Sequence, residues 1–438
     1  MLKLGNNAVR AAGFVFLAQV AGSGLSLVLT ILLARLLGAS DLGLYFVATT
    51  MVDIGALFAR VGLESSVLRF ASVAYDRGGA GELAALYRKS VGLILLAALC
   101  IVPLVWVFCH WVPIGGERAD DLRDGLWFVL IAVPFVAVAT VQSEFYKAVG
   151  SPVFGSLLQA LCSPIVMLVG CSILFWLGLV TFNNMVRVYA AAAVLYCLVG
   201  VVFWMRRIPG VWHLTGNFDG RLLLRASLPL LVVSAANLAM NWTDILVLGI
   251  WSDPQQVGIY GICARLAGTT SFVLVAANSV VAPRLAVAFA DKNHERLSSL
   301  AQRSVFWTSI AVLPLVVVLL AFPALVLQIF GKSFQDGAWA VRILALGQLI
   351  SVSLGPVGYL LVMTGREKHF RNATVIGALL NLAGNLVLVP FFGIIGAATA
   401  TAFSLAVMKI LAWFWVWREL GINSLGYFTA AGRSCFSR

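Results

Sequence analysis

The side chains best placed to do chemistry are a few ionisable and amide groups that interrupt long apolar runs. Ser234, Asn237, Asn241 and Asp244 fall within an arc of roughly 80° if 227–250 is drawn as a helix. Arg265 lies in the next run, among Gly258, Gly261 and Gly268, and those glycines let a neighbouring helix come close to the guanidinium. Near the start of the chain, Gln19, Ser23, Ser26 and Thr30 share a face of roughly 60°, as do Thr49, Asp53, Arg60 and Glu64. A charge held in hydrocarbon is costly, so each of these groups should meet water, an opposite charge or a charged ligand. For Asp244 and Arg265, an ion pair between adjacent helices and exposure to a hydrated cavity are both reasonable, and the two are compatible. Interhelical hydrogen bonding explains the Ser and Thr positions equally well. Arg60 and Glu64 also read as residues of a helix end at the membrane surface, whereas Asp53 sits mid-run. Glu144 and Lys147, spaced i,i+3, read as a local pair.

Covalent and metal chemistry find no support. The cysteines Cys100, Cys109, Cys162, Cys171, Cys197, Cys263 and Cys435 form no CxxC pair, and six of them lie in apolar runs. They read as small buried hydrophobes. His110, His213, His294 and His369 have no ligand spacing. There is no Walker A, HExxH or GxSxG motif. No enzyme, cofactor or metal is expected, and energy for any transport must come from an ion gradient, the membrane potential, or substrate supply and removal.

Composition says what holds these groups. Of the 438 residues, 61% are hydrophobic and only 11% charged, against about 25% charged in soluble domains. Mean hydropathy is +0.98. The chain is therefore an all-α polytopic membrane protein. Twelve spans are predicted, at 11–34, 42–61, 90–110, 125–145, 153–178, 187–205, 227–250, 257–281, 304–329, 340–363, 373–390 and 393–415. The first is too long for a signal-peptide core of about 7–15 residues. Val389-Pro390-Phe391-Phe392-Gly393 marks a tight hairpin between the last two spans.

The net charge is +12. Twenty-three basic residues, Lys409 among them, fall in one alternating set of segments and six in the other, with Arg265 left inside a span. The positive-inside rule then places both termini in the cytoplasm and makes a nucleic-acid role unnecessary. Trp106, Trp111, Trp127, Trp176, Trp251 and Trp339 fit an outer aromatic belt, and Trp204, Trp307, Trp413, Trp415 and Trp417 an inner one.

The chain also matches itself at an offset of 215, pairing Arg10 with Arg225, Gly43 with Gly258, Tyr45 with Tyr260, Arg69 with Arg284, Arg88 with Arg303, Gly150 with Gly365 and Gly178 with Gly393. Six spans per half make this a parallel internal repeat. It implies a six-helix lobe at 1–208, a cytoplasmic linker at 209–226, a second six-helix lobe at 227–417 and a cytoplasmic tail at 418–438. Helices 1, 2, 7 and 8 are expected to line a central cavity, with transport by alternating access. Segments 62–80 and 284–300 read as interfacial amphipathic stretches.

Three stretches carry a family resemblance: Arg35-Leu36-Leu37-Gly38-Ala39-Ser40-Asp41-Leu42-Gly43-Leu44-Tyr45 with the ALFARVGLESSVLRF run at 56–70; residues 227–267; and residues 346–398. They resemble the polysaccharide-flippase (Wzx-type) family of the multidrug/oligosaccharidyl-lipid/polysaccharide exporter superfamily. The resemblance implies a flippase of the bacterial inner membrane. Such a protein moves undecaprenyl-diphosphate-linked oligosaccharide to the periplasmic leaflet for lipopolysaccharide or exopolysaccharide synthesis, beside a polysaccharide polymerase and glycosyltransferases. Asp244 matches the acidic residue of the family's L-x-x-N-x-x-D seventh helix. The cationic cavity residues the family implies have Arg60, Arg265 and Arg284 as candidates. Asn237, Asn241 and Gln19 are the candidate sugar partners, and Asp53 and Asp244 the ion-coupling or charge-pair residues. Twelve spans, and no carboxylate on helix 1, favour the polysaccharide branch over lipid II flippases and proton-coupled drug exporters. The alternatives are an ion-coupled antiporter for cationic small molecules, with an acidic cavity, and a non-transporting scaffold of a glycan-assembly complex.

Overall fold

A computed structural model describes residues 2–424 apart from 113, 116, 117 and 210, and among these there is no strand. The greater part of the predicted tail, with Cys435, lies outside the described residues. Thirteen helices follow one another: α1 (Leu2–Arg60), α2 (Leu63–Asp76), α3 (Ala80–Trp111), α4 (Ala119–Ala148), α5 (Pro152–Trp176), α6 (Phe182–Arg207), α7 (Gly220–Trp251), α8 (Pro254–Ala290), α9 (His294–Ala321), α10 (Pro323–Gln328), α11 (Ala338–Ser353), α12 (Val357–Met363) and α13 (Glu367–Leu420). Among the described residues, ten stretches are long and apolar enough to cross a membrane.

Two of those ten are double. α1 is interrupted at Gly38 (φ 72°) and α13 at Gly393 (φ 53°), in the left-handed region that glycine adopts without a steric penalty. Each half is still about 30 Å long or more at 1.5 Å per residue, enough to span hydrocarbon. Dividing them gives the twelve spans. Pro390 stays inside α13 and the chain turns at Gly393, so the predicted hairpin between the last spans hinges on glycine rather than proline.

The 215-residue register is visible in the backbone. Gly150 (φ 76°) and Gly365 (φ 74°) each precede a helix that starts two residues later, at Pro152 and Glu367. Gly178 (φ 68°) and Gly393 share the left-handed conformation as well. The break at Gly38 has its counterpart at Asp253, between the end of α7 and the start of α8.

One predicted correspondence fails. Segment 62–80 does hold a separate short helix, α2, entered through Gly62 (φ 73°), with Leu63, Val67, Ala71 and Ala74 buried and Arg69, Val73 and Tyr75 exposed. Segment 284–300 holds no such helix. It is the end of α8, a turn, and the start of α9. The position equivalent to Gly62 is Ala277. Alanine disfavours the left-handed break and supports helix, so α8 runs straight through.

The chain gathers into two compact units. One comprises 1–235 with 253–255, and the other 236–252 with residues from 256 on, so the division falls inside α7. The first has an aromatic core in which Trp204 stacks on Tyr87 (5.2 Å between centroids) and packs on Phe145 and Tyr146, while Gln142 Nε2 donates to Tyr87 Oη at 3.0 Å. Trp204 is thus fully buried rather than part of an aromatic belt, whereas Trp111, Trp176 and Trp339 are exposed. Residues 211–218 are strapped to α3. Arg88 Nη1 donates to the carbonyls of Val211 (2.7 Å) and Leu214 (2.9 Å), and Lys89 Nζ donates to that of Phe218. Gly81 and Gly216 approach so closely that a Cβ on either would collide with the other's segment. The second unit is packed around Leu285, Leu297, Val357, Leu360, Leu361, Met408 and Val416.

A buried carboxylate cluster as candidate functional site

Asp244 lies on α7, within the second unit, and is 3% exposed. Its Oδ2 accepts from the hydroxyl of Tyr260 on α8 and from Thr401 Oγ1 on the second half of α13, at 3.2 Å. Thr401 Oγ1 in turn accepts from Asn381 Nδ2, on the first half of α13, at 3.1 Å, and the same amide reaches Ser404 Oγ at 3.3 Å. One turn further on, Asn385 Nδ2 donates to the Asn381 carbonyl at 2.9 Å. The hairpin at Gly393 folds the two halves of α13 together, with Gly384 against Ala400, and so brings Asn381 opposite Thr401.

Every donor atom in this network has a partner, but three acceptors are left over. Asp244 Oδ1, Asn381 Oδ1 and Asn385 Oδ1 are buried without a hydrogen-bond partner. Two charge-assisted hydrogen bonds to Oδ2 stabilise an ionised carboxylate, yet an ionised carboxylate with a bare second oxygen is costly in a membrane. Such an oxygen set has the chemistry to take a proton on Asp244 or to ligate a hard monovalent cation. Among the described residues no three His, Cys, Asp or Glu side chains come together.

The ion pair between Asp244 and Arg265 is not formed. The carboxylate is held by the hydroxyls of Tyr260 and Thr401 instead. Both lie within reach of the buried carboxylate, and neither brings a second charge that must itself be desolvated. Arg265 is half-buried on α8 and Arg284 is exposed further along it. Arg60 Nη1 pairs with Glu64 Oε1 at 2.9 Å across the α1–α2 break. Asp53 is half-buried on α1, and Gln19 is exposed there. Asn237 and Asn241 are exposed one turn apart on α7, and Asn241 Nδ2 donates to the Asn237 carbonyl at 2.7 Å. Thr30 and Thr49 spend their hydroxyls on their own helix, on the carbonyls of Ser26 and Tyr45. Glu144 and Lys147 pair at 2.6 Å as their spacing predicts.

Sequence reasoning found Asp244 but missed Tyr260, Thr401, Asn381 and Asn385 as its surroundings. The available signal was the i,i+4 asparagine pair inside a charge-free stretch.

Known proteins resemble this chain along most of its length. The family profile described as "Polysaccharide biosynthesis protein" matches residues 8–289, and a second, described as "MatE", matches 229–387. The probable low-salt glycan biosynthesis flippase Agl15 of Haloferax volcanii is 24% identical over 404 residues, 91% of this chain and 81% of that protein. The probable flippase AglR of the same organism is 25% identical over 181 residues, 40% of this chain and 37% of that one. Among solved structures, the lipid II flippase MurJ in an inward closed conformation superposes with a TM-score of 0.76 at 15% identity, covering 96% of this chain and 93% of that one. An inward-facing multidrug resistance MATE family transporter of the MOP superfamily gives 0.71 at 15% identity, covering 92% and 95%. The fold is theirs, and the profile covering 8–289 places the chain in the polysaccharide biosynthesis protein family.

Proposed function

We propose that this chain is a flippase that carries polyprenyl-diphosphate-linked oligosaccharide across the membrane by alternating access, for surface or exopolysaccharide synthesis. The observation that carries most weight is the polysaccharide biosynthesis profile over 8–289, joined to a relative named as a glycan biosynthesis flippase that aligns over 91% of the chain. A diphosphate needs cations in a hydrated cavity, sugars need amides and hydroxyls, and the polyprenyl tail can stay in lipid. Arg60, Arg265 and Arg284 are the proposed phosphate contacts, and Gln19, Asn237 and Asn241 the proposed sugar contacts. Asp244 is the proposed coupling residue, with its bare acceptors taking up a proton or a monovalent cation as the lobes exchange conformations. Asp53 is the second coupling candidate.

The membrane is proposed to be the bacterial cytoplasmic membrane with an undecaprenyl carrier, and both termini are proposed to be cytoplasmic, on the strength of the 23 to six distribution of basic residues. A polymerase and glycosyltransferases are the proposed neighbours. In a cysteine-free background, a cysteine at Leu179 should react with an impermeant thiol reagent from outside, and one at Glu295 only after lysis. The reverse pattern contradicts the orientation.

The acceptor-only Asp244 cluster and the MatE profile over 229–387 favour a second reading, an ion-coupled exporter of cationic small molecules. One experiment separates the two. Vesicles reconstituted with the purified protein are loaded either with a labelled lipid-linked oligosaccharide, scored by leaflet, or with a cationic dye. Protein-dependent flipping of the lipid without dye movement supports the flippase. Dye movement without flipping supports the exporter. Arg265→Ala should abolish flipping while the protein still inserts, and Arg265→Lys should restore it only in part, because an ammonium lacks the planar bidentate fork.

A further inference from the structure

We propose that a pocket inside the second unit, enclosed by α8, α12 and α13 around Lys409, is a binding site for an anionic group. The chemistry it would accept is a diphosphate or a sugar carboxylate.

Lys409 looks like a cytoplasmic residue in the sequence, but α13 continues to Leu420. That leaves the ammonium-bearing residue about 16 Å from the helix end at 1.5 Å per residue. It is half-buried there, six residues inside the predicted span 393–415. Among the described residues, no hydrogen bond or ion pair reaches its Nζ. Beside it is a cavity of about 380 Å³, lined also by Ser271, Asn278, Tyr359 and Phe370. Asn278 is buried, and its Oδ1 has no partner. Ser271 Oγ donates to Gln348 Oε1 at 3.2 Å, so its proton is already spent and the charge of an anion must be met by the Lys409 ammonium.

The space is built into the backbone. Leu354-Gly355-Pro356 separates α11 from α12, with Gly355 in the left-handed region (φ 75°). A Cβ on Gly355 would collide with Val305, and one on Gly358 would stand 2.6 Å from Phe370 Cε2. Phe370 therefore settles over Gly358 as a wall of the pocket. A cavity of this size falls at the small end of ligand sites. It has room for a diphosphate or one sugar ring, with the aromatic walls against the ring face and the asparagine amide beside it.

An ammonium partly withdrawn from water and given no anion is expensive, and a ligand anion offsets that cost. The position 215 residues earlier is Val194, so the charge is not a requirement of the repeated fold. The flippase reading supplies the two candidate sources, the phosphates of a lipid carrier and an acidic sugar of its glycan. Anion binding itself does not depend on that reading.

The test uses the full-length protein in lipid nanodiscs, titrated calorimetrically with inorganic pyrophosphate and, separately, with glucuronate. Wild type should bind at least one of them, and which one identifies the source. Lys409→Gln should weaken that binding about tenfold or more, the loss expected for one charge-assisted hydrogen bond, while Lys409→Arg should retain most of it. Asn278→Asp, which supplies a fixed carboxylate inside the pocket, should also abolish binding. Failure of both anions to bind wild type overturns the site, as does undiminished binding by Lys409→Gln. Lys409-dependent binding in a protein that flips no lipid-linked oligosaccharide would leave the pocket standing and remove the flippase reading.

Discussion

In the second half of the chain the spans carry Asp244, Asn381, Thr401 and Lys409, whereas 215 residues earlier stand Leu29, Val166, Val186 and Val194. Tyr260, which donates to Asp244, has its counterpart in Tyr45, whose ring meets Tyr189 edge-on at 6.1 Å. The first unit buries its own polar pair elsewhere, Gln142 with Tyr87, and the positions equivalent to those two are Val357 and Gln302. Both halves keep the glycines that turn the chain, at Gly150 and Gly365 and at Gly178 and Gly393, because backbone conformation leaves no substitute there. Buried polar groups are under no such constraint. What the halves share is therefore the scaffold, and what separates them points to chemistry at Asp244 and Lys409 that the first half does not repeat.

That comparison can be broken by exchanging counterparts. Leu29→Asp would place a carboxylate in the first unit, where Tyr45 stands for Tyr260 but Val186 and Val166 stand for Thr401 and Asn381. It should cost about 3 kcal/mol of insertion or stability, seen as a sharp fall in membrane protein level, with no gain of function. Normal accumulation would mean that the first unit also accommodates a charge there. Tyr260→Phe removes one hydrogen bond to a charged group, worth about 1.5–3 kcal/mol. It should slow flipping roughly tenfold or more while protein level is maintained. Gln142→Leu should lower thermal stability by about 1–2 kcal/mol through the lost Tyr87 bond and leave the flipping rate per molecule unchanged. A selective loss of flipping would bring the first unit's polar pair into the mechanism. The smallest effect belongs to Val186→Thr, counterpart of Thr401. Its hydroxyl can bond the carbonyl one turn back, as Thr308 and Thr364 do, so both stability and flipping should change by about 1 kcal/mol or less.

The fold was open to reading because it is written in long-range averages. Apolar run length, the side on which arginines and lysines accumulate, and the spacing of glycines each survive boundary errors of several residues. Breaks that depend on one residue were harder to place, as the straight passage of α8 through Ala277 illustrates. The site was legible only where a single residue is anomalous on its own. Asp244 stands out as a carboxylate mid-span. Thr401 and Asn381 do not, since serine, threonine and asparagine recur along most spans, and nothing in one helix says which neighbour it will face. Pairing Asp244 with Arg265 followed from charge and adjacency, whereas hydroxyls from α8 and α13 reach the carboxylate first. Lys409 was grouped with the cytoplasmic arginines although it falls six residues inside the predicted span 393–415, because a lone basic residue close to a span end fits the positive-inside pattern as well as an intramembrane one.

The central claim is that the Asp244 cluster couples an ion to the flipping of a lipid-linked oligosaccharide. Leaflet-resolved flipping in proteoliposomes, with a proton gradient, a sodium gradient or neither, tests it in wild type and in Asp244→Asn, which keeps the shape of the side chain and removes its charge. One of the two gradients should accelerate flipping by wild type, and neither should accelerate it in Asp244→Asn. Gradient-driven flipping that persists undiminished in Asp244→Asn would contradict the claim.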